Sequence, residues 1–385
     1  MIKKLCMLCI GSSLGFGVEY KHQIDLSYMG YSETSNEVSL YATSEATLKN
    51  DFFTTHMSVE YLYRTEHDMQ INELYISKTT GSYKLLFGKR VDYWGELEGY
   101  NVTDIFNQKN YLLDPFDKSK KIGSWALSTT KYLGEDSIEL GVKFYEDDQK
   151  YPDTSSAYYP FPLNYNSHLQ TESSKDKPSF YLSYVVNTES FIESENRISV
   201  WHGYDNKRYF IPLNQTTLAQ YAYRVNKYLF SSNVVYDDMI FKVESSYTDV
   251  INDISMSDYL QWSVGMEKSF FDISGMDITL YAEYYRYKYI DENSIKNVDV
   301  SEIYNNDFFL AMKLNINDTG SSEIKSGIFY DRETQEKVFK IKMKTRVKDS
   351  FLLHAELLRL VPAKTSLLST FENKSRAILG LTYTF

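Results

Sequence analysis

The sequence predicts an all-β chain, a membrane-spanning antiparallel up-and-down barrel of about eighteen strands, with sixteen as the alternative count. Three observations carry this reading. Apolar and polar residues alternate with period two from near Val18 to Phe385, and no helical periodicity of any length interrupts them. The connections switch between tight turns and long loops. The polar faces of several segments hold Lys, Arg and Glu, while the opposite faces hold Leu, Val, Met and Tyr. A soluble sandwich buries its apolar faces against a second sheet and turns its polar faces to bulk water. A closed barrel in lipid inverts this: apolar side chains meet acyl chains, charges meet a wet interior, and no edge is left open.

Residues 1–17 read as a secretory signal peptide, with Lys3 and Lys4 ahead of the apolar stretch "LCMLCIG" and the small-x-small site Gly15-Phe16-Gly17. Cleavage after Gly17 starts the mature chain at Val18 and takes the formal charge from -11 to -13. Both cysteines, Cys6 and Cys9, lie in this segment, so disulfides, thiol catalysis and Cys-ligated zinc are not expected of the mature chain. Cys6-Met7-Leu8 lacks the small residue that a lipid-anchor site needs before Cys9. No run of about 18 apolar residues is present, so no helix is expected to cross a membrane. The 35 Tyr and 22 Phe set against 7 Pro suit strands, and tyrosine suits the membrane–water interface.

The barrel occupies residues 18–385. Its strands show in "MSVEYLY", "SIELGVKF", "SFYLSYVV", "RISVWHGY", "MDITLYAEYYRY", "FFLAMKLNIN", "HAELLRL" and "RAILGLTYTF". Tight turns are expected near "KNDF", "TTGS", "LGED", "FSSN", "DISGM", "NDTGSS" and "KDS". Long connections are expected near 93–122, 148–177, 205–215, 290–304 and 362–373, each after an odd-numbered strand. All long loops then lie on one side of the barrel and both termini on the other.

The final strand places Ala377, Leu379, Leu381, Tyr383 and Phe385 on one face and stops on the aromatic. It resembles the C-terminal strand of Gram-negative outer-membrane β-barrels. The segment "LFGKRVDYWGELEGYNVTDIFN", residues 86–107, resembles one shared by porin-like barrels of proteobacteria at Gly88, Lys89, Trp94, Gly95, Asn101, Asp104 and Asn107. The resemblance implies export through the Sec pathway and residence in the Gram-negative outer membrane, in contact with lipid and lipopolysaccharide. It also implies assembly by the barrel-assembly machinery through the strand ending in Phe385. Short turns would then face the periplasm and long loops the outside. Monomers and trimers share such a strand pattern.

Signals for catalysis are poor. Gly11-Ser12-Ser13-Leu14-Gly15 matches a nucleophile-elbow pattern but sits in the signal peptide, away from any strand–turn–helix context. The six histidines show no His-x-x-x-His spacing, and neither a phosphate loop nor a dinucleotide fingerprint is present. Neither enzyme activity, cofactor, metal nor nucleic acid is expected.

The charge pattern is more informative. In "VFKIKMKTRVK", Phe339, Ile341, Met343 and Val347 alternate with Lys340, Lys342, Lys344, Arg346 and Lys348. Five cations facing lipid would cost about 2–4 kcal/mol each near the midplane, so they are assigned to the lumen. There, water and ions screen them over about 8 Å and they attract passing anions. Parity adds Lys313, Lys325, Arg376, Lys84 and Arg90 to this basic wall. An opposed acidic wall is expected from Glu139, Glu244, Glu267 and Glu283, with Glu356 beside Lys344. Trp94, Asp104, Asn107 and Asp114 in the loop 93–122 are candidates for a constriction, and the proline- and tyrosine-rich loop 148–177 is compact enough to serve as well. The function expected is a porin-like channel for passive diffusion of small hydrophilic solutes, anions among them. The alternative is a barrel acting as adhesin or receptor through its surface loops, with no open pore.

Overall fold

A computed structural model describes residues 17–172, 174–189, 192–253, 255–290, 304–364 and 366–385. Alternation becomes pleat throughout, and the described residues form an 18-stranded antiparallel sheet. The strands are β1 (Gly17–Tyr31), β2 (Glu37–Lys49), β3 (Thr54–Tyr63), β4 (His67–Thr80), β5 (Tyr83–Arg90) and β6 (Ser124–Leu133). They continue as β7 (Asp136–Lys143), β8 (Ser179–Glu189), β9 (Glu193–Tyr204), β10 (Arg224–Tyr236), β11 (Met239–Ile251) and β12 (Tyr259–Phe270). The last six are β13 (Met276–Tyr289), β14 (Asn306–Ile316), β15 (Glu323–Asp331), β16 (Lys337–Lys348), β17 (Phe351–Val361) and β18 (Arg376–Thr384). Each pairs with its neighbours in sequence, and β18 closes on β1 from Gln23↔Thr384 to Tyr31↔Arg376. Among the described residues, closure gives every strand of this sheet a neighbour on both sides, as hydrocarbon requires.

The connections obey the expected alternation, with 91–123, 144–178, 205–223 and 362–375 all following odd-numbered strands. One turn is misplaced. "FSSN" is not a break, because Phe230–Asn233 run inside β10 and the chain reverses at Asp237 and Asp238. Both aspartates have positive φ, 47° and 63°, the geometry a two-residue hairpin needs and one that Asp tolerates. The proposed signal peptide, 1–16 of it, and most of the expected loop 290–304 lie outside the described residues.

Parity sorts the two faces. Leu26, Met69, Leu140, Ile198, Leu310, Leu357 and Leu379 are exposed on the outer surface. Ser27, Ser39, Ser128, Ser183, Ser199 and Ser263 are buried on the inner one. Serines leave room, and loops fill it. The apolar core therefore lies inside the barrel, where Phe106, Trp94, Leu97 and Phe116 of the loop 91–123 pack against Tyr181, Trp201, Tyr285, Phe309 and Leu358 of the wall and its neighbours.

Candidate functional site

The loop 91–123 turns into the lumen, and the inner wall holds it by its backbone. Glu244 on β11 accepts the N–H groups of Glu96 (2.5 Å), Leu97 (3.2 Å) and Thr103 (3.2 Å), together with the Thr103 hydroxyl (3.1 Å). Glu283 on β13 accepts those of Glu98 (2.6 Å) and Gly99 (2.9 Å), and the Tyr285 hydroxyl accepts that of Tyr100 (3.0 Å). Five consecutive backbone donors are thus satisfied by three wall side chains, which is how an irregular segment survives burial. Gly95 opens this stretch at φ 112°, and a Cβ there would stand 2.8 Å from Glu244 Oε1. Only glycine fits.

The loop's other contacts fasten it around the barrel. Arg90 at the end of β5 donates to Asp92 (2.8 Å), Ser128 (2.9 Å) and the Tyr181 hydroxyl (2.7 Å), and stacks over Phe106. Trp94 meets Tyr181 edge-on at 5.3 Å. Asn107 accepts the Asp92 N–H (2.7 Å) and donates to the carbonyls of Arg90 (3.0 Å) and Ile122 (2.9 Å). Asp104 pairs with Lys121 at 2.5 Å. Asp114 bonds Arg376 on β18 at 2.6 Å, and Asp117 meets Lys342 on β16 at 3.1 Å. Burial alone would raise both aspartates, but Arg376 with Lys340 and Lys342 with Lys340, respectively, outweigh it and hold them below the usual carboxylate range.

These contacts revise the charge map drawn from parity. Lys340 and Lys342 do face inward, where Lys340 donates to the Phe116 carbonyl (3.0 Å) and both approach Glu356, at 3.4 and 3.7 Å. Glu356 pairs in register with Lys342, two places from the expected Lys344, and bonds Arg376 at 2.6 Å. Lys344 instead meets Glu323 at 3.1 Å. The fifth rung is lost. The register shifts between Arg346 and Lys348, so Lys348 pairs with Phe351, an outward residue, and leaves the ladder's face. Lys325 meets Glu98 of the loop, Lys313 pairs with Lys325 in register, and Lys84 shares a cavity with Arg90 and Glu139.

Among the described residues, the four carboxylates expected to oppose these cations are engaged elsewhere. Glu244 and Glu283 are buried under the loop, Glu139 accepts the Tyr181 hydroxyl (2.5 Å) and faces Arg90 (3.4 Å), and Glu267 binds Lys242 (2.8 Å). Glu356 sits among the lysines. Carboxylates placed by parity found backbone amides and cations that the alternation could not reveal.

Two interior cavities that share Lys118 and Tyr304, and a third beside the 315–323 turn, are lined by cations. The first, about 80 Å³, lies between the loops 91–123 and 205–223 and is lined by Lys109, Lys118, Lys121, Lys207 and Arg208, with Tyr100, Tyr111 and Asp104. Burial pushes Lys109 down to about 8 and Lys207 down to about 7. Lys109 lies over the Tyr100 ring at 5.1 Å, and Lys207 over Tyr287 at 5.7 Å. Lys118 and Tyr304 also line the second cavity, about 310 Å³, whose far wall holds Lys325, Lys340 and Lys342. Lys344 and Arg346 line the third, about 480 Å³, toward the short-turn end. Sequence reasoning missed Lys109, Lys118, Lys121, Lys207 and Arg208, because a loop has no parity to say which way a side chain points.

No protein-family model matches the chain, and the search of curated proteins returned no match either. Solved structures match in fold. OccK11 (OpdR) of Pseudomonas aeruginosa does so at TM-score 0.55 and 9% identity, over 96% of each chain. OccAB4 of Acinetobacter baumannii does so at TM-score 0.55 and 11% identity, over 96% of this chain and 98% of that one. OpdK of Pseudomonas aeruginosa, solved with vanillate, does so at TM-score 0.53 and 7% identity, over 96% of this chain and 100% of that one. These neighbours are Gram-negative outer-membrane β-barrels, and the chain has their fold, a closed barrel of 18 antiparallel strands.

Proposed function

We propose that the chain is an outer-membrane channel through which small hydrophilic solutes diffuse passively, anions ahead of cations. The observation that supports this best is a set of three cavities with cations in their walls: Lys109, Lys207 and Lys118 line the first, Lys118, Lys340 and Lys342 the second, and Lys344 and Arg346 of the same strand a separate third. Most cations lining these cavities are paired with carboxylates. Anions are therefore favoured to the extent that the lysines and arginines lining the cavities outnumber the carboxylates beside them, an excess that a low-dielectric wall magnifies. Selection then rests on width, charge and hydrogen bonding, with no chemical step. Residues 1–17 would direct Sec export, and the strand ending in Phe385 would engage the barrel-assembly machinery.

Reversal potentials across a planar bilayer under a salt gradient test the proposal. Anion preference is expected, and Lys344→Glu with Lys207→Glu should reduce it severalfold. A cation-selective wild type, or a preference indifferent to both changes, would sink it. One feature favours the adhesin or receptor reading instead. Tyr151, Phe161, Tyr165 and Phe210 knot the loops 144–178 and 205–223 together at the long-loop end, with Tyr151 stacked on Tyr111 at 4.7 Å. Silence in single-channel recordings, combined with ligand binding by the loops, would decide for that reading.

A further inference from the structure

The outer surface of β13–β17 carries a feature that conduction does not use. Arg286 and Lys288 alternate outward on β13 with Tyr284 and Leu280, since Tyr285 and Tyr287 are buried on the inner face. Arg332, just past β15, lies over the outward Phe308 ring at 5.6 Å. Lys337 opens β16 over the outward Tyr330 ring, also at 5.6 Å. Arg359 on β17 pairs with Phe339 and sits between the exposed Leu357 and Val361. All five stand near the long-loop end of adjacent strands. Among the described residues, Glu333 answers one of them, binding Arg286 at 2.7 Å. The neighbouring Asp307, Asp331 and Glu336 are buried.

Beneath this arc the lipid-facing wall is hollow. A groove of about 750 Å³ runs across β12–β16, lined by Met266, Leu280, Leu310, Ile328 and Phe339 around the small side chain of Ala282. Register makes it continuous, because Met266, Ala282, Leu310, Ile328 and Phe339 are successive partners across four strand pairs. The row above it runs Tyr284, Phe308, Tyr330 and Lys337. Arg286 and Arg332 stand one step beyond the aromatic row, Lys337 ends that row, and Arg359 ends the row of the groove beside Phe339, so cations and aromatic rings border an apolar trough.

We infer that this face binds a phosphate-bearing, multi-acyl lipid of the outer leaflet, its phosphates held by Arg332, Lys337 and Arg359 and an acyl chain laid in the groove. Charge complementarity selects the head, since guanidinium and ammonium groups near the bilayer surface find anionic oxygens there. Aromatic rings fit the boundary between head and tail. The trough admits a chain that a flush wall would exclude. The inference rests on the long loops facing outside, and is independent of whether the lumen conducts.

The test uses the mature chain refolded in neutral detergent, titrated with hexa-acylated lipid A bearing two phosphates, and reads the shift in melting temperature. Dephosphorylated lipid A and phosphatidylglycerol serve as comparisons. Saturable stabilisation by the bisphosphorylated lipid is expected, and Arg332→Glu with Lys337→Glu and Arg359→Glu should raise the half-saturating concentration roughly 100-fold, each cation contributing roughly fivefold. Arg359→Glu alone should raise it roughly fivefold if the triple variant does not refold. Ala282→Phe, which fills the trough, should weaken binding without touching a charge. Equal binding of dephosphorylated lipid, tighter binding of phosphatidylglycerol, or unchanged binding by the reversed variants would each overturn the assignment. Bilayer conductance of the same variants should match wild type, so a failure here is distinct from a failure of the channel proposal.

Discussion

Glu244 decides more than its charge suggests. Replacing it with Ala strands four donors, the N–H groups of Glu96, Leu97 and Thr103 and the Thr103 hydroxyl, at roughly 1–3 kcal/mol each if they stay buried. Leaving the seat and hydrating is cheaper. Glu244→Ala should therefore free the loop and raise single-channel conductance by roughly twofold, with the barrel still resisting detergent denaturation in the cold. A protein that unfolds outright would show that the loop supports the wall as well as narrowing it. Protonation offers a second handle. Lys207 and Lys109 are pushed down to about 7 and about 8, Lys207 beside Lys227 and Asp205, Lys109 beside Asp104, Lys121 and Lys118. Their charge is lost as pH rises through those values, so anion preference should fall between pH 6 and pH 9 in reversal-potential measurements. Stability moves the other way, since the unfolded chain keeps these protons to a higher pH and folding gains as they are shed. Asp114 and Asp117, held below the ordinary value of 3.8, keep their ion pairs until pH falls through their lowered values. Once Lys207 is charged, conductance should consequently stay flat from pH 6 to pH 5.

The ladder strand shows what alternation can and cannot tell. Phe339 and Met343 are exposed on the outer surface while Lys340 and Lys342 reach the loop, as period two requires. Nothing in "KTRVKDS" announces the shift that carries Lys348 across to Phe351, because a bulge adds one unpaired residue and reverses every later position. The loop was legible, over 93–122, as long and rich in aromatic and charged residues. Its seat was not, since that depends on Glu244 and Glu283, which lie 147 and 185 residues from the amides they accept at Leu97 and Glu98. Glycines gave a partial signal. Gly95→Ala must combine a left-handed backbone with a Cβ close to Glu244 and Asn101, a strain of about 1–3 kcal/mol. It should lower the melting temperature and widen the conductance distribution, and a sharp wild-type distribution would count against the tight seat.

At the level of the whole chain, the barrel was readable because each strand repeats the same two-faced instruction and lipid admits few ways to satisfy it. The interior was not, because loops of 91–123, 144–178 and 362–375 meet there by contacts that no local pattern encodes. Phe116 of the first, Tyr158 of the second and Phe371 of the third join in one edge-to-face cluster with ring centroids 5.5–5.7 Å apart. Tyr158→Ala should loosen all three loops together, visible as faster proteolysis at several loop sites while the strands stay protected.

Asp114 and its partner Arg376 are separated by 262 residues, and Arg376 belongs to the strand that seals the cylinder. The inward loop therefore cannot reach its final anchor until the last strand has docked, however early its own residues emerge. Contacts of such reach form late. On the channel reading proposed above, a nascent barrel would pass through a wide, leaky stage and tighten only at the end, so assembly itself would set the moment at which the lumen narrows.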